Sequence, residues 1–169
     1  RETMRNILNR CRRYAADFSG GSGNLLFMGR TGLGKTYLSA CIAMEVAARG
    51  YEVRYYPAQA LIDRFERVRF NREAGADDLT AMREILSCDL LILDDLGTEM
   101  VTTFVQSALY QIINGRLLEK KSTIVSTNLM PEAIAQRYSG QIASRIEGEY
   151  QLLPFVGEDI RVLKKKRGL

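Results

Sequence analysis

Residues 29–36 read Gly-Arg-Thr-Gly-Leu-Gly-Lys-Thr and contain every fixed position of the G-x-x-x-x-G-K-[ST] pattern of phosphate-binding loops. The stretch lies between a short apolar run, Asn24 to Met28, and a segment, Tyr37 to Arg49, whose apolar residues recur at helical spacing. A glycine-rich turn that opens a helix directs several backbone N–H groups to one point, where the positive end of the helix dipole also lies. The sequence therefore predicts a nucleoside triphosphate site; a chance glycine turn beside a lysine is the alternative.

The positions of this loop have separate predicted roles. Glycine at 29, 32 and 34 allows the backbone to wrap a phosphate without Cβ clashes. Lys35 is expected to reach the β- and γ-phosphates of ATP, and the Thr36 hydroxyl is expected to bind Mg²⁺. We expect nucleotide contacts from the following set: Gly29, Arg30, Thr31, Gly32, Leu33, Gly34, Lys35, Thr36 and Tyr37. Tyr14 and Phe18 are candidates for adenine contact only because they precede the loop.

The composition limits the chemistry that the chain can perform. Its 169 residues, of which 46% are hydrophobic and 26% charged, are enough for one α/β domain with a core. The absence of histidine excludes His-based catalysis and His metal sites. Three cysteines without metal-ligand spacing are expected to be reduced thiols of a cytoplasmic protein. No apolar stretch approaches the roughly 18 residues that cross a bilayer, so no membrane partner is expected.

Strand-like and helical segments alternate along the chain. Strands are predicted at 24–28, 52–56, 90–93, 123–127 and 150–155. Helices are predicted at 2–18, 37–49, 57–71, 79–86, 103–119, 131–138 and 141–147. This order implies right-handed crossovers and a doubly wound sheet, so we expect one α/β domain over residues 1–169, a three-layer αβα sandwich.

Two acids follow the most apolar strand. Leu90-Leu91-Ile92-Leu93 precedes Asp94-Asp95, and open α/β sheets bind ligands at the carboxyl ends of such strands. Asp94 is predicted to hold Mg²⁺ with Thr36, and Asp95 to orient the attacking water. A solvated acidic turn is the alternative.

Two further polar residues are candidates for contact with the γ-phosphate. Asn128 ends the run Ser126-Thr127-Asn128 after the fourth strand, where it could reach the phosphate or serve only in a turn. Arg145 is a candidate cation for the charge that develops during phosphoryl transfer, and a surface salt bridge is its alternative role.

Taken together, Gly29–Thr36, Leu90–Gly97, Ser126–Asn128 and Ile142–Arg145 resemble, in this order, the motifs of AAA+ ATPases. The segments Asp94-Asp-Leu-Gly-Thr-Glu99 and Pro154-Phe-Val-Gly-Glu-Asp-Ile-Arg161 resemble bacterial helicase loaders of the DnaC/DnaI type, and the related IstB transposition ATPases are similar. The resemblance covers about residues 15–163. It implies a P-loop NTPase fold of the AAA+ type with a five-stranded parallel sheet.

The same resemblance implies roles for residues that spacing alone does not assign. Asn128 corresponds to sensor 1, and Arg145 to an arginine finger that acts on the ATP of a neighbouring subunit, which requires self-association. Hydrolysis by a lone chain is then expected to be slow, since such a finger is worth about 10³–10⁵ in rate.

The chain departs from the family pattern at three places. Many AAA+ proteins have glutamate where Asp95 stands, so turnover is expected to be slow. The chain ends soon after the fifth predicted strand, so we expect no C-terminal lid domain, and the role of Arg161 stays open. It begins at Arg1, and we expect a helicase-binding N-terminal region to be absent from it.

Helicase loaders of this type hold single-stranded DNA with elements that follow the second strand. The matching stretch contains basic and aromatic residues, namely Arg64, Arg67, Arg69, Arg72, Phe65 and Phe70. Such residues suit phosphate contact and base stacking. An ordinary charged helix face is the alternative, and Phe65 lies on the predicted core stripe.

Three functions are compatible with these features. The first is an ATP-controlled replication factor that loads the replicative DNA helicase onto single-stranded DNA. The second is an IstB-type transposition helper that acts with a transposase on duplex DNA. The third, from another class, is a small-molecule P-loop kinase, which the short segment after Asn128 disfavours because it leaves no obvious lid.

Overall fold

The computed structural model describes residues 2–70 and 75–166, so Arg72 lies outside the described residues. The elements are α1 (Glu2–Ala16), β1 (Asn24–Met28), α2 (Lys35–Ala48), β2 (Val53–Pro57), α3 (Ala58–Phe70), α4 (Ala76–Ser87), β3 (Leu90–Leu96), α5 (Thr103–Leu118), β4 (Ser122–Thr127), α6 (Pro131–Arg137), α7 (Gly140–Glu149), β5 (Tyr150–Pro154) and α8 (Ile160–Lys166). Within these residues, no helix combines the length and apolar character that crossing a membrane requires.

The described strands form one five-stranded sheet in the order β2-β3-β4-β1-β5. Every pairing is parallel. Because β4 lies between β1 and β3, the segments that follow these three strands emerge side by side at the carboxyl edge of the sheet. The strand order therefore brings the phosphate loop, Asn128 and the acidic pair to one place.

Helices cover both faces of the sheet. α1 and α2 pack on one face, where strand residues such as Leu25, Phe27 and Ile92 are buried. α3 to α7 pack on the other face. There the strand residues that alternate with the first set, such as Leu26 and Leu91, are buried. Successive strand residues alternate between the two layers, as the pleat requires. The predicted three-layer αβα sandwich with a five-stranded parallel sheet is confirmed.

Some boundaries differ from the prediction. Pro57 ends β2 and is in register with Asp94, so the prediction that it begins a helix was wrong. α4 begins at Ala76 because Asp77 and Asp78 occupy its first turn, where negative charge complements the helix dipole. α8 was not predicted; Asp159 accepts a hydrogen bond from the Arg161 N–H (2.8 Å) at its start.

Arg116 is a buried cation at the amino edge of the sheet. Its Nη1 donates to the carbonyl of Ile85 (2.7 Å) at the end of α4, and its Nη2 donates to the carbonyl of Ser122 (2.6 Å) at the start of β4. Its Nε donates to Thr123 Oγ1 (2.9 Å). Burial lowers the pKa of this guanidinium. The side chain satisfies buried acceptors of α4 and β4 and ties these elements to α5.

We expect Arg116→Met to destabilise the domain by about 2–4 kcal/mol, because buried carbonyls lose their donors. Urea unfolding followed by circular dichroism measures the loss. Arg83→Met, which removes an exposed arginine from α4, is the control and should change stability by no more than about 0.5 kcal/mol. Equal losses in the two variants would contradict a structural role for the buried guanidinium.

Candidate functional site

The phosphate loop has the backbone form that its glycines permit. Gly29, Gly32 and Gly34 have φ values of 148°, 82° and 93°, which side-chain-bearing residues rarely adopt. The loop leaves the end of β1, and α2 begins at Lys35. The predicted strand–loop–helix arrangement is confirmed, and the loop leads directly into the first turn of α2.

The glycines are also required by the segment that follows β5. A Cβ on Gly32 would overlap the carboxylate of Asp159, and a Cβ on Gly29 would overlap the carbonyl of Phe155. The Ile160 N–H donates to the Gly32 carbonyl (2.9 Å). The start of α8 is therefore seated against the phosphate loop, a contact that the motif does not reveal.

Lys35 is a buried ammonium surrounded by oxygen atoms. Its Nζ donates to the carbonyls of Gly29 (2.6 Å) and Arg30 (3.0 Å) and to Asn128 Oδ1 (2.6 Å). Burial lowers the pKa of Lys35, while the charges of Asp94 and Asp95 act in the opposite direction. The arrangement places a positive charge and the Asn128 amide together at the mouth of the loop.

The acidic pair lies at an irregularity of β3. The register between β3 and β4 shifts between Leu93 and Leu96, and Asp95 has φ 55°, in the left-handed region. Asp94 is only 6% exposed, whereas Asp95 is exposed to solvent. A bulge of this kind re-aims side chains at the end of a strand. It gives the two neighbouring acids different environments, one buried and one open.

Hydroxyl groups hold the Asp94 carboxylate. Thr36 Oγ1 donates to Asp94 Oδ1 (3.3 Å), and Ser126 Oγ also donates to this oxygen. The same Ser126 Oγ accepts the Asp95 N–H (3.0 Å), which fixes the left-handed turn. The hydroxyl of Tyr55 donates to the other oxygen, Asp94 Oδ2 (2.7 Å). Burial and the carboxylate raise the pKa of Tyr55, so this hydroxyl remains a donor.

The contact between Thr36 and Asp94 suits a magnesium ion that is bound together with phosphate. Mg²⁺ prefers oxygen ligands and is usually held by one or two protein groups, waters and phosphate oxygens. No group of three or more acidic, Cys or His residues in the described part of the chain could hold a metal ion alone. The donor set therefore fits Mg²⁺ as a companion of a nucleotide.

Arg145 lies on α7 and contacts α5. Its Nε donates to Asn114 Oδ1 (2.8 Å), its Nη2 donates to the Tyr110 hydroxyl (2.7 Å), and its guanidinium lies 4.6 Å from the centre of the Tyr110 ring. Among the described residues, none of its hydrogen bonds reaches the phosphate loop or the acidic pair. The structure thus brings together Lys35, Thr36, Asp94, Asp95 and Asn128 but not Arg145.

A buried carboxylate that sequence reasoning missed joins the turn after β3 to α6. Glu99 Oε2 accepts the Gly97 N–H (3.0 Å), and Glu99 Oε1 accepts the Tyr138 hydroxyl. Arg137 Nε lies 3.9 Å from the same Oε1. The turn that directly follows the acidic end of β3 is thereby anchored to the end of α6. Tyr55 carried no sequence signal, because its partner Asp94 is distant in the chain. Glu99 ends the Asp94–Glu99 segment that resembles helicase loaders, but its contact with the distant Tyr138 has no local pattern.

The candidate DNA residues on α3 separate into different groups. Phe65 is 5% exposed and belongs to the core, so a DNA contact by this residue is excluded. Arg64 and Arg67 lie 4.0 and 3.7 Å from Asp78 of α4. Phe70 is 68% exposed and lies 5.1 Å from Phe104, ring centre to ring centre. The guanidinium of Arg69 lies 5.9 Å from the centre of the Phe104 ring.

The two adenine candidates do not lie beside the phosphate loop. Phe18 is buried in the core under α1. The Tyr14 hydroxyl donates to the carbonyl of Gly23 (3.0 Å), which precedes β1, whereas the loop follows β1. Contact of either residue with adenine stays a prediction.

Residues 11–145 match the protein family described as IstB-like ATP binding protein. The chain belongs to this family. It is 26% identical over 149 residues to the replicative helicase loader DnaC of Escherichia coli (strain K12). That alignment covers 86% of this chain and 58% of DnaC, so the chain spans little more than half of that protein.

Solved structures support the AAA+ assignment of the fold. The crystal structure of the DnaC helicase loader has a TM-score of 0.82 at 24% identity and aligns over 91% of this chain and 90% of that one. AMPPCP-bound DnaA from Aquifex aeolicus has a TM-score of 0.72 at 25% identity, over 99% of this chain and 52% of that one. The resemblance to AAA+ proteins that the motifs indicated is confirmed, and the chain is an ATP-binding AAA+ domain related to replication proteins.

We expect Gly32→Ala to destabilise the domain by more than the about 1–2 kcal/mol that a left-handed alanine costs, because its Cβ also displaces Asp159. Gly50→Ala is the matched control, since Gly50 has a similar φ of 90° and nothing within 4 Å of an added Cβ. Urea unfolding measures both losses.

A second substitution, Asp159→Ala in the Gly32→Ala background, should recover the part of the loss that exceeds that of Gly50→Ala. Equal losses for the two glycine variants, without recovery, would contradict the contact between α8 and the loop.

Proposed function

We propose that this chain binds ATP with Mg²⁺ at the carboxyl edge of the sheet and hydrolyses it slowly, as a replication factor that helps to load the replicative helicase onto single-stranded DNA. The observation that carries the proposal is the convergence of Lys35, Thr36, Asp94, Asp95 and Asn128 at one edge. Family membership supports the ATP site, and the likeness to DnaC supports the role in replication.

The residues at this edge divide the work of phosphoryl transfer. Lys35 would neutralise the β- and γ-phosphates, and Asn128, already hydrogen-bonded to Lys35, would contact the γ-phosphate or the attacking water. Thr36 and Asp94 would hold Mg²⁺, which would supply positive charge against the charge that develops on the phosphates. Loop residues Gly29 to Gly34 would offer backbone N–H groups, and the exposed side chains of Arg30, Thr31 and Tyr37 would lie along the nucleotide.

Asp95 is the proposed group that orients the attacking water. It is the exposed member of the acidic pair, and its backbone is fixed by Ser126. Its carboxylate is one methylene shorter than the glutamate found in many AAA+ proteins. The shorter side chain would contact the attacking water from farther away, which is consistent with slow ATP hydrolysis. Slow hydrolysis suits a protein that acts as a switch between its ATP-bound and ADP-bound states.

Arg145 is the proposed arginine finger for a neighbouring copy of this chain. Arg145 lies on α7, and Tyr110 and Asn114 of α5 hold its guanidinium away from the phosphate loop of its own chain. A cation held in this way would complete a nucleotide site only across a joint between subunits. Self-association is therefore part of the proposed mechanism.

The arginine finger predicts complementation between two inactive variants. Arg145→Ala and Asp95→Asn should each lower ATP hydrolysis by about 10³-fold in the assembled protein. A one-to-one mixture should recover activity, because roughly a quarter of the interfaces between subunits combine an unsubstituted Asp95 with an unsubstituted Arg145 from the neighbour. Phosphate release measures the rates.

Mixtures of Asp95→Asn with Arg83→Ala, an exposed arginine on α4, provide the control for simple dilution. A mixture of Arg145→Ala and Asp95→Asn that stays as inactive as its components would exclude action in trans. Full activity of Arg145→Ala alone would exclude any role in hydrolysis.

Single-stranded DNA is the proposed polymer partner, and the surface formed by Arg69, Phe70 and Phe104 is its proposed contact. Phe70 offers an exposed ring for base stacking, and Arg69 offers a cation beside it for the phosphate backbone. Arg64 and Arg67 lie near Asp78, whose negative charge partly offsets theirs at this surface. The replicative helicase is the proposed protein partner, and an IstB-type helper that acts on duplex DNA is the second candidate because of the family match.

We expect Phe70→Ala and Arg69→Ala to weaken binding of a labelled single-stranded oligonucleotide by about tenfold each. Fluorescence anisotropy in ATP, in ADP and without nucleotide, at two salt concentrations, measures the affinity. Arg10→Ala, an exposed arginine on α1, is the matched control and should have little effect.

Tighter binding with ATP than with ADP would support the loader. A preference for duplex DNA would favour the transposition helper. Equal effects of Arg10→Ala and Arg69→Ala would remove the α3 surface from the proposal.

A further inference from the structure

The two oxygens of the Asp94 carboxylate have different surroundings. Oδ1 faces Thr36 and Ser126, on the side where Mg²⁺ would lie. Oδ2 faces β2 and accepts the hydroxyl of Tyr55 at 2.7 Å. Because Asp94 is almost fully buried, each oxygen depends on protein donors to replace water.

The geometry of the sheet explains how Tyr55 reaches this position. β2 and β3 are parallel, and Tyr55 is in register with Ile92, two residues before Asp94. The long side chain of Tyr55 extends along the strand toward Asp94, on the face that α2 covers. There its hydroxyl also lies 3.4 Å from Ser39 Oγ of α2. Tyr56, the next residue, packs with the cluster on the opposite face.

We propose that Tyr55 is a positioning residue for the magnesium-side carboxylate. Its hydroxyl holds Oδ2 toward β2, so that Oδ1 stays directed at Thr36 and at the ion. This inference rests on the proposed ATP site but adds a residue that neither the phosphate loop nor the acidic pair contains.

The physical reason is rotational freedom of a buried carboxylate. Without the Tyr55 hydroxyl, Oδ2 has no donor from β2, and the carboxylate gains by turning Oδ2 toward Ser126 or Thr36. Either rotation takes Oδ1 out of line with Thr36. A charge-assisted hydrogen bond at 2.7 Å is strong enough to select one orientation.

Tyr55→Phe tests the proposal, because it removes the hydroxyl and keeps the ring. Tyr56→Phe makes the same chemical change on the opposite face of the same strand and is the matched control. Binding of a fluorescent ATP analogue is measured in EDTA and in a Mg²⁺ titration, and kcat and KM are measured for ATP hydrolysis.

We expect Tyr55→Phe to leave the affinity for the ATP analogue in EDTA unchanged. The Mg²⁺ concentration that gives half of the maximal increase in binding of the analogue should rise by about tenfold. In ATP titrations at low Mg²⁺, kcat should fall while the KM for ATP changes little. Tyr56→Phe should match the unsubstituted chain in every measurement.

Three outcomes separate the inference from the function on which it rests. Failure of the unsubstituted chain to bind nucleotide would overturn the ATP site and the role of Tyr55 together. Normal ATP binding and hydrolysis with identical Mg²⁺ dependence in the two variants would overturn the role of Tyr55 alone. Equal weakening in EDTA and in Mg²⁺ would also overturn it, because the ring would then serve only to shape the pocket.

Discussion

The parallel pairing of β4 with β1 on one side and with β3 on the other is the constraint on which the candidate site depends. Thr127 is in register with Met28 of β1 and with Leu96 of β3, so the residue that follows β4 starts between the phosphate loop and the acidic turn. Asn128 can therefore accept a hydrogen bond from Lys35. A shift of β4 by one residue would exchange the side chains that face the two helical layers.

Buried charge is concentrated at the two ends of this sheet and has different support at each end. At the carboxyl edge, Lys35 and Asp94 are held by loop carbonyls, an amide and hydroxyls. At the amino edge, Arg116 is held by carbonyls at the ends of regular elements. The partners of Lys35 lie in the phosphate loop and just after β4, and such segments can rearrange around a ligand, whereas the ends of packed helices and strands cannot move without opening the core. The need of buried charges for hydrogen-bond partners thus supports a candidate binding site at the carboxyl edge and a structural contact between α4, α5 and β4 at the amino edge.

Much of the candidate site could be predicted because its parts are local motifs placed by a general rule. The phosphate loop has its own sequence pattern, and Asp94 and Asp95 follow a buried strand, where open α/β sheets bind ligands. Periodicity also placed Phe65 on the core side of α3. It could not predict that Phe70 would lie beside Phe104 of α5, because that contact joins residues from two helices. The short helix α8 was missed for a related reason: it is seated by a contact with Gly32.

The sequence by itself determined the fold class, the phosphate loop and the identity of the two acids, since alternating elements and short motifs act over neighbouring residues. Only the tertiary structure decided the surroundings of each acid. The register shift in β3 buries Asp94 and exposes Asp95, and Tyr55 and Ser126 then set the orientation of the buried carboxylate. These partners come from different strands, so their contacts depend on strand order and register, which no local pattern specifies.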